Sequence, residues 1–129
     1  MGLPTVLVVD DDTYLRQVAQ ASLEAVNGWR VLTAGSGLVA IAMARERKPD
    51  VVLLDLMMPD MDGVTTFEHL QADESTRDIP VIMFTAKLTV RGERAPWDGH
   101  AFAGMIPKPY DPLTLGDQVA EMLGWPPSA

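Results

Sequence analysis

The chain contains no cysteine. Disulfides, thiolate metal sites and cysteine nucleophiles are therefore excluded. No apolar run approaches the ~20 residues that a helix needs to cross a bilayer. The N-terminus lacks a basic region followed by a long apolar stretch, so no signal peptide is visible. Cations are scarce: 10 Lys and Arg face 18 Asp and Glu, for a net charge of −8. That balance disfavours direct binding to DNA or RNA, whose affinity rests on cations meeting phosphates. What the chain does have is 129 residues with 47% hydrophobic content, enough for one domain with a real core. A soluble cytoplasmic protein is expected, without membrane insertion, in which residues 1–129 form a single domain with no output module.

Short apolar runs alternate with helical patterns along the chain. Buried strands are expected at residues 6–9, 30–33, 51–54 and 81–84, with a weaker fifth run in AGMIP, residues 103–107. Leu15, Val18, Ala19, Ser22, Leu23 and Val26 recur at helical spacing and form one stripe, closed by Asn27-Gly28. Residues 38–47 read as an Ala-rich helix ended by Lys48 and Pro49. Met58-Pro59 through Asp62-Gly63 is a turn, after which Val64, Phe67 and Leu70 mark another helix. A last helix spans residues 113–123, with Leu115, Val119, Met122 and Leu123 on one face. Gly92, Pro96 and Gly99 break residues 87–99, where a short or displaced helix is expected.

Alternation of this kind implies an α/β fold, a doubly wound parallel sheet with helices on both faces. Right-handed crossovers bring the C-terminal ends of all strands to one edge, where such folds bind ligands. Several apolar runs end there on groups suited to phosphate chemistry: Asp10, Asp11 and Asp12, then Asp55, Thr85 and Lys108. Carboxylates 4 Å apart repel by ~4 kcal/mol at an effective dielectric near 20. Either some are protonated or a cation sits among them. Mg²⁺ suits such a set, because it takes few protein ligands and keeps waters for a phosphoryl group. Asp10 or Asp12 is able to cap the first helix, and Asp12 is the favoured cap. Asp11 and Asp55 are the favoured metal ligands. A carboxylate also serves as a nucleophile toward phosphorus. Asp55, at the mouth of the central strand, is the natural candidate, with Thr85 and Lys108 offering a hydroxyl and an ammonium to the phosphoryl oxygens.

These segments resemble the receiver domains of two-component response regulators. VLVVDDDTYLR is similar to the family's acidic strand end, and VVLLDLMMPDMDG to its phosphoacceptor motif. VIMFTA resembles the strand carrying the switch hydroxyl, and IPKPY the Lys-Pro motif. The resemblance implies a flavodoxin-like five-stranded sheet of order 2-1-3-4-5. It implies that Asp55 takes a phosphoryl group from a histidine kinase or phosphotransfer protein. It implies that Asp10, Asp11, Asp55 and the backbone carbonyl of Met57 surround Mg²⁺, that Thr85 and Lys108 sense the phosphoryl state, and that the Lys108–Pro109 bond is cis. The chain would then be a stand-alone switch that catalyses its own phosphorylation and dephosphorylation without being a turnover enzyme. Its output would be binding to a downstream protein, as a monomer or weak dimer.

The chain also departs from the family pattern. Met105 stands where the family usually carries an aromatic residue, so the coupled Thr-aromatic switch is expected to be absent or altered. Pro107 before Lys108 is tolerable only at a sheet edge, which is where the fifth strand should lie. Residues 87–99 occupy the place of the usual fourth helix. Met57 and Lys87 lie two residues beyond Asp55 and Thr85; Met57 is expected to slow hydrolysis by excluding water, and Lys87 to attract phosphoryl oxygens. His69 and His100 read as surface residues. Trp97, Phe102, Tyr110 and Trp125 read as ordinary packing, with an exposed aromatic patch as the alternative. Two other functions stand as alternatives. One is an unswitched docking module. The other is a phosphohydrolase of haloacid-dehalogenase type with Asp10 as nucleophile and Asp12 as general acid, although Tyr14 stands where that family has threonine.

Overall fold

The computed structural model describes residues 2–59, 61–85 and 101–126. In chain order the elements are β1 (Thr5–Val9), α1 (Thr13–Asn27), β2 (Arg30–Ala34), α2 (Gly37–Arg47), β3 (Val51–Asp55), α3 (Gly63–Ala72), β4 (Val81–Thr85), β5 (Gly104–Pro107) and α4 (Leu115–Leu123). The five strands form one sheet of order β2-β1-β3-β4-β5, parallel throughout. The doubly wound parallel sheet is the one the strand-helix alternation led us to expect, and its order is the flavodoxin-like one that the resemblance implied. The expectations for residues 87–99, Lys87, Trp97 and His100 lie outside the described residues.

Strand composition tracks position in the sheet. β3 and β4 are buried at all five residues each, as interior parallel strands covered on both faces should be. β2 begins on exposed Arg30 and lies at one edge. β5 forms the other edge and ends on exposed Pro107, a residue with no N–H to give to a further strand. Period-two alternation splits the core. Leu7, Val9, Val52, Leu54 and Met83 face one side, together with Ile41 of α2 and Phe67 and Leu70 of α3. Val6, Val8, Leu53, Ile82 and Phe84 face the other, together with Leu23 of α1 and Leu115 and Val119 of α4.

The aromatic residues pack in pairs. Phe102 lies against Phe67 with centroids 4.4 Å apart, Tyr110 stacks on Phe84 at 4.9 Å, and Trp125 meets Trp29 edge-on at 5.3 Å. No exposed patch forms from Phe102, Tyr110 and Trp125, and His69 is exposed. Two local expectations need correction. Val26 has the angular position of the core stripe but sits on the last turn of α1 and is 43% exposed. Periodicity identifies a face, not where along the helix its cover ends. The last helix starts at Leu115 rather than at residue 113, because the Asp111 carboxylate accepts the Leu113 N–H at 2.9 Å and holds a turn there.

Candidate functional site

The C-terminal ends of β1, β3, β4 and β5 meet at one edge of the sheet. They bring Asp10, Asp11, Asp55, Thr85 and Lys108 together, as the sequence predicted. One carboxylate oxygen from each of Asp10, Asp11 and Asp55 lies within 4.8 Å of the others. Asp10 and Asp55 are buried, whereas Asp11 is exposed.

Asp10 is held at every polar atom. Its N–H donates to the Ala34 carbonyl at 3.1 Å, prolonging the β1–β2 ladder. Its Oδ1 accepts the Asp12 N–H at 2.9 Å, its backbone carbonyl accepts Arg16 Nη1 at 2.7 Å, and its Oδ2 accepts Lys108 Nζ at 2.8 Å. Asp12 is the N-cap of α1 and accepts the Leu15 N–H at 3.1 Å, which is the capping role expected of it. This occupies the side chain that the phosphohydrolase alternative would use as general acid.

Asp55 closes β3, and Leu56 continues the ladder by donating to the Phe84 carbonyl at 3.0 Å. Asp55 Oδ1 accepts the Met57 N–H at 3.2 Å, and Oδ2 lies 3.2 Å from Lys108 Nζ. Met57 itself is 52% exposed beside the acid. The loop beyond returns closely: Gly63 N–H donates to the Leu56 carbonyl at 2.9 Å. A Cβ at Gly63 would come within 2.6 Å of the Asp55 carbonyl oxygen and 2.8 Å of Leu56 Cα, so only glycine fits. Asp62 caps α3 by accepting the Thr65 N–H at 2.8 Å.

Thr85 ends β4, one position past the Asp55–Phe84 pairing, and is buried. Its carbonyl accepts the Lys108 N–H at 2.8 Å, which fixes where the lysine leaves the sheet. The Lys108–Pro109 bond is cis, as the resemblance implied. Met105 pairs with Met83 and is half-buried against the α2–α3 core.

Charge shapes this site. Burial pushes the Asp55 carboxyl above its usual 3.8; the Asp10 charge adds to the rise, while Lys108 and the Met57 N–H oppose it. Burial works against the Lys108 ammonium, but the hydrogen bond to Asp10 and the charges of Asp55 and Asp10 outweigh it and hold the group above 10.5. Burial raises the Tyr110 phenol as well, with Asp10 adding to the rise. One ammonium against three carboxylates leaves an excess of negative charge in this partly buried cluster of oxygens. That donor set fits a hard divalent cation, with Asp10, Asp11 and Asp55 able to hold it.

Two features escaped the sequence reading. Lys108 already pairs with both buried acids, across 98 residues in the case of Asp10. Arg16 clasps the Asp10 backbone; the only signal was a basic residue on the second turn of the helix that follows the acids.

A family model, the response regulator receiver domain, matches residues 6–120. The chain is 45% identical over 83 residues to the probable transcriptional regulatory protein TcrX of Mycobacterium tuberculosis, which is 64% of this chain and 34% of that protein. It spans about a quarter to a half of the length of the first curated relatives it matches. Among solved structures it resembles the chemotaxis protein CheY4 of Vibrio cholerae, with TM-score 0.81 and 27% identity over 94% of this chain and 99% of that one. It also resembles the receiver domain of the sensor histidine kinase PA1611 of Pseudomonas aeruginosa, with TM-score 0.82 and 25% identity over 95% and 99%. That structure carries a magnesium ion coordinated in its active-site cleft.

Proposed function

The chain belongs to the response regulator receiver domain family, and we propose that it is a phosphorylation switch in which Asp55 is the phosphoacceptor. A histidine kinase or phosphotransfer protein is the donor. Asp55 attacks phosphorus in line, the P–N bond to the donor imidazole breaks, and the imidazole leaves with its electron pair and takes a proton from water. The observation that carries this reading is the placement of Lys108 Nζ between Asp10 and Asp55, 2.8 and 3.2 Å from their oxygens. An ammonium held there is within reach of a phosphoryl group on Asp55.

Asp10, Asp11, Asp55 and the Met57 carbonyl would hold Mg²⁺, which supplies charge neutralisation for the equatorial phosphoryl oxygens. The chain's own groups do the rest. The Met57 N–H keeps Asp55 oriented, Lys108 pairs with the new negative charge, and the Thr85 hydroxyl donates to a phosphoryl oxygen. Loss of Lys108 from Asp10 and recruitment of Thr85 alter the loop after β5, and so alter binding to a downstream protein. Met105 brings no ring or hydroxyl to that change. The domain promotes its own phosphorylation and dephosphorylation.

Incubation with Mg²⁺ and acetyl phosphate, followed by intact mass measurement, tests the reading. One phosphoryl should be gained by wild type and none by Asp55→Ala. Equal gain in both proteins would refute the assignment, and no gain with any donor would favour the unswitched docking module.

A further inference from the structure

Arg16 lies one turn into α1, and among the described residues it forms no ion pair with the carboxylates of Asp10, Asp11 or Asp55. Instead its Nη1 donates to the backbone carbonyl of Asp10 at 2.7 Å. The guanidinium also lies against the turn between β2 and α2: a Cβ on Gly35 would meet Nη1 at 3.2 Å and Cζ at 3.6 Å. The arginine is thus seated between the end of β1, the first turns of α1 and a glycine that leaves it room.

The bonded carbonyl belongs to the Asp10–Asp11 peptide. Fixing that carbonyl fixes the plane of the peptide, and the plane sets the direction in which Asp11 leaves the backbone. Asp10 is further held by Ala34, Asp12 and Lys108. Asp11 is exposed, so its carboxylate depends on its backbone for position. A planar fork with several donors suits this task better than a flexible ammonium.

We infer that Arg16 is a positioning residue for the cation site: by holding the Asp10–Asp11 peptide, with Gly35 providing its seat, it aims the Asp11 carboxylate at the ion shared with Asp10 and Asp55. The inference rests on the reading of those three acids as the Mg²⁺ site. Residues that orient metal ligands from behind change metal affinity by about 10- to 100-fold when removed.

Calorimetric titration of the full chain with Mg²⁺ tests this. Arg16→Ala should weaken Mg²⁺ by at least about tenfold, whereas the rate of phosphorylation by acetyl phosphate should return to the wild-type rate once Mg²⁺ saturates. Arg16→Lys should restore only part of the affinity, because charge alone does not fix the peptide plane. Gly35→Ala should weaken Mg²⁺ in the wild-type background and do nothing further in Arg16→Ala, since its effect acts through the guanidinium. Urea midpoints taken in EDTA identify any variant that fails to fold; should Arg16→Ala be one, Arg16→Lys and Gly35→Ala carry the test. Unchanged Mg²⁺ affinity in a folded Arg16→Ala would overturn the inference, as would an equal effect of Gly35→Ala in both backgrounds. Failure of the underlying site reading shows separately, as Mg²⁺ binding untouched by Asp11→Asn.

Discussion

Replacing Lys108 with methionine removes the ammonium that joins the two buried acids while keeping a long apolar stem. At 2.8 and 3.2 Å, the gross attractions are about 6 and about 5 kcal/mol at an effective dielectric near 20. Most of this is offset by the cost of taking three charges out of water, several kcal/mol per ion. Removing one partner of a buried pair leaves a net loss of ~3–5 kcal/mol. The Lys108 side chain is 15% exposed, so the loss should lie near the low end, about 3 kcal/mol, a large share of the ~5–15 kcal/mol that stabilises a domain. Urea unfolding at neutral pH in EDTA should show this loss, and saturating Mg²⁺ should recover most of it by supplying the missing positive charge. The pH dependence has a definite sign. Asp55 stands above its usual 3.8 when folded, first because it is buried, so the folded chain keeps a proton that the unfolded chain has released. Stability linked to Asp55 is therefore full below 3.8 and is lost as pH rises through the folded value. Without Lys108 that value climbs further. The variant's deficit should therefore grow as pH rises. Wild type alone should also lose stability above 10.5, as Lys108 releases its proton at its raised value. A deficit that is equal with and without Mg²⁺ and does not grow as pH rises would refute the reasoning.

Gly63→Ala places a methyl group 2.6 Å from the Asp55 carbonyl oxygen; urea unfolding should show a loss of about 1–3 kcal/mol, and the phosphorylation rate should fall because the obstructing atoms belong to the Asp55–Leu56 backbone. Asp73 is lowered to about 2, first by the Ser75 hydroxyl and then by the Ser75 amide, with Arg45 adding to the effect. Its stabilising contribution is present above 3.8 and lost as pH falls toward 2, so Asp73→Asn should flatten that limb of an acid titration followed by circular dichroism. Met57, exposed at the lip of the site, is expected to keep water from the phosphoryl group. Met57→Asn should shorten the phosphorylated lifetime measured by loss of radiolabel; an unchanged lifetime would assign that side chain no role in hydrolysis.

The parallel sheet was legible because interior parallel strands must be apolar on both faces, and the runs ending at Asp10, Asp55 and Thr85 satisfy that condition without help from the rest of the chain; the strand order came only from the resemblance of the motifs to the receiver family. The gathering of those ends followed from topology. Their individual bonds did not, because Lys108 meets Asp10 across 98 residues and nothing local to either residue encodes the contact. Arg16 was illegible for a different reason. It acts on a carbonyl, a group every residue has, so its sequence neighbourhood reads only as an ordinary helix turn. The start of α4 was misplaced because Leu113 has the right hydrophobicity for a helix, whereas the Asp111 side chain decides locally for a turn.

One local device recurs at the acid-bearing strand ends and explains how the site holds two buried carboxylates side by side. Asp10 accepts the N–H of Asp12, and Asp55 accepts the N–H of Met57, each two residues on. In both cases the bonded oxygen is Oδ1, turned back onto the chain's own backbone, and Oδ2 is left to face Lys108. An aspartate is suited to this because its short side chain reaches the amide two positions ahead; a glutamate, one methylene longer, would spoil the fit. Each acid is thereby oriented by a bond that involves no other strand. The cation therefore has only to bridge oxygens already aimed at it, and the orientation should survive loss of Lys108 even though the stability does not.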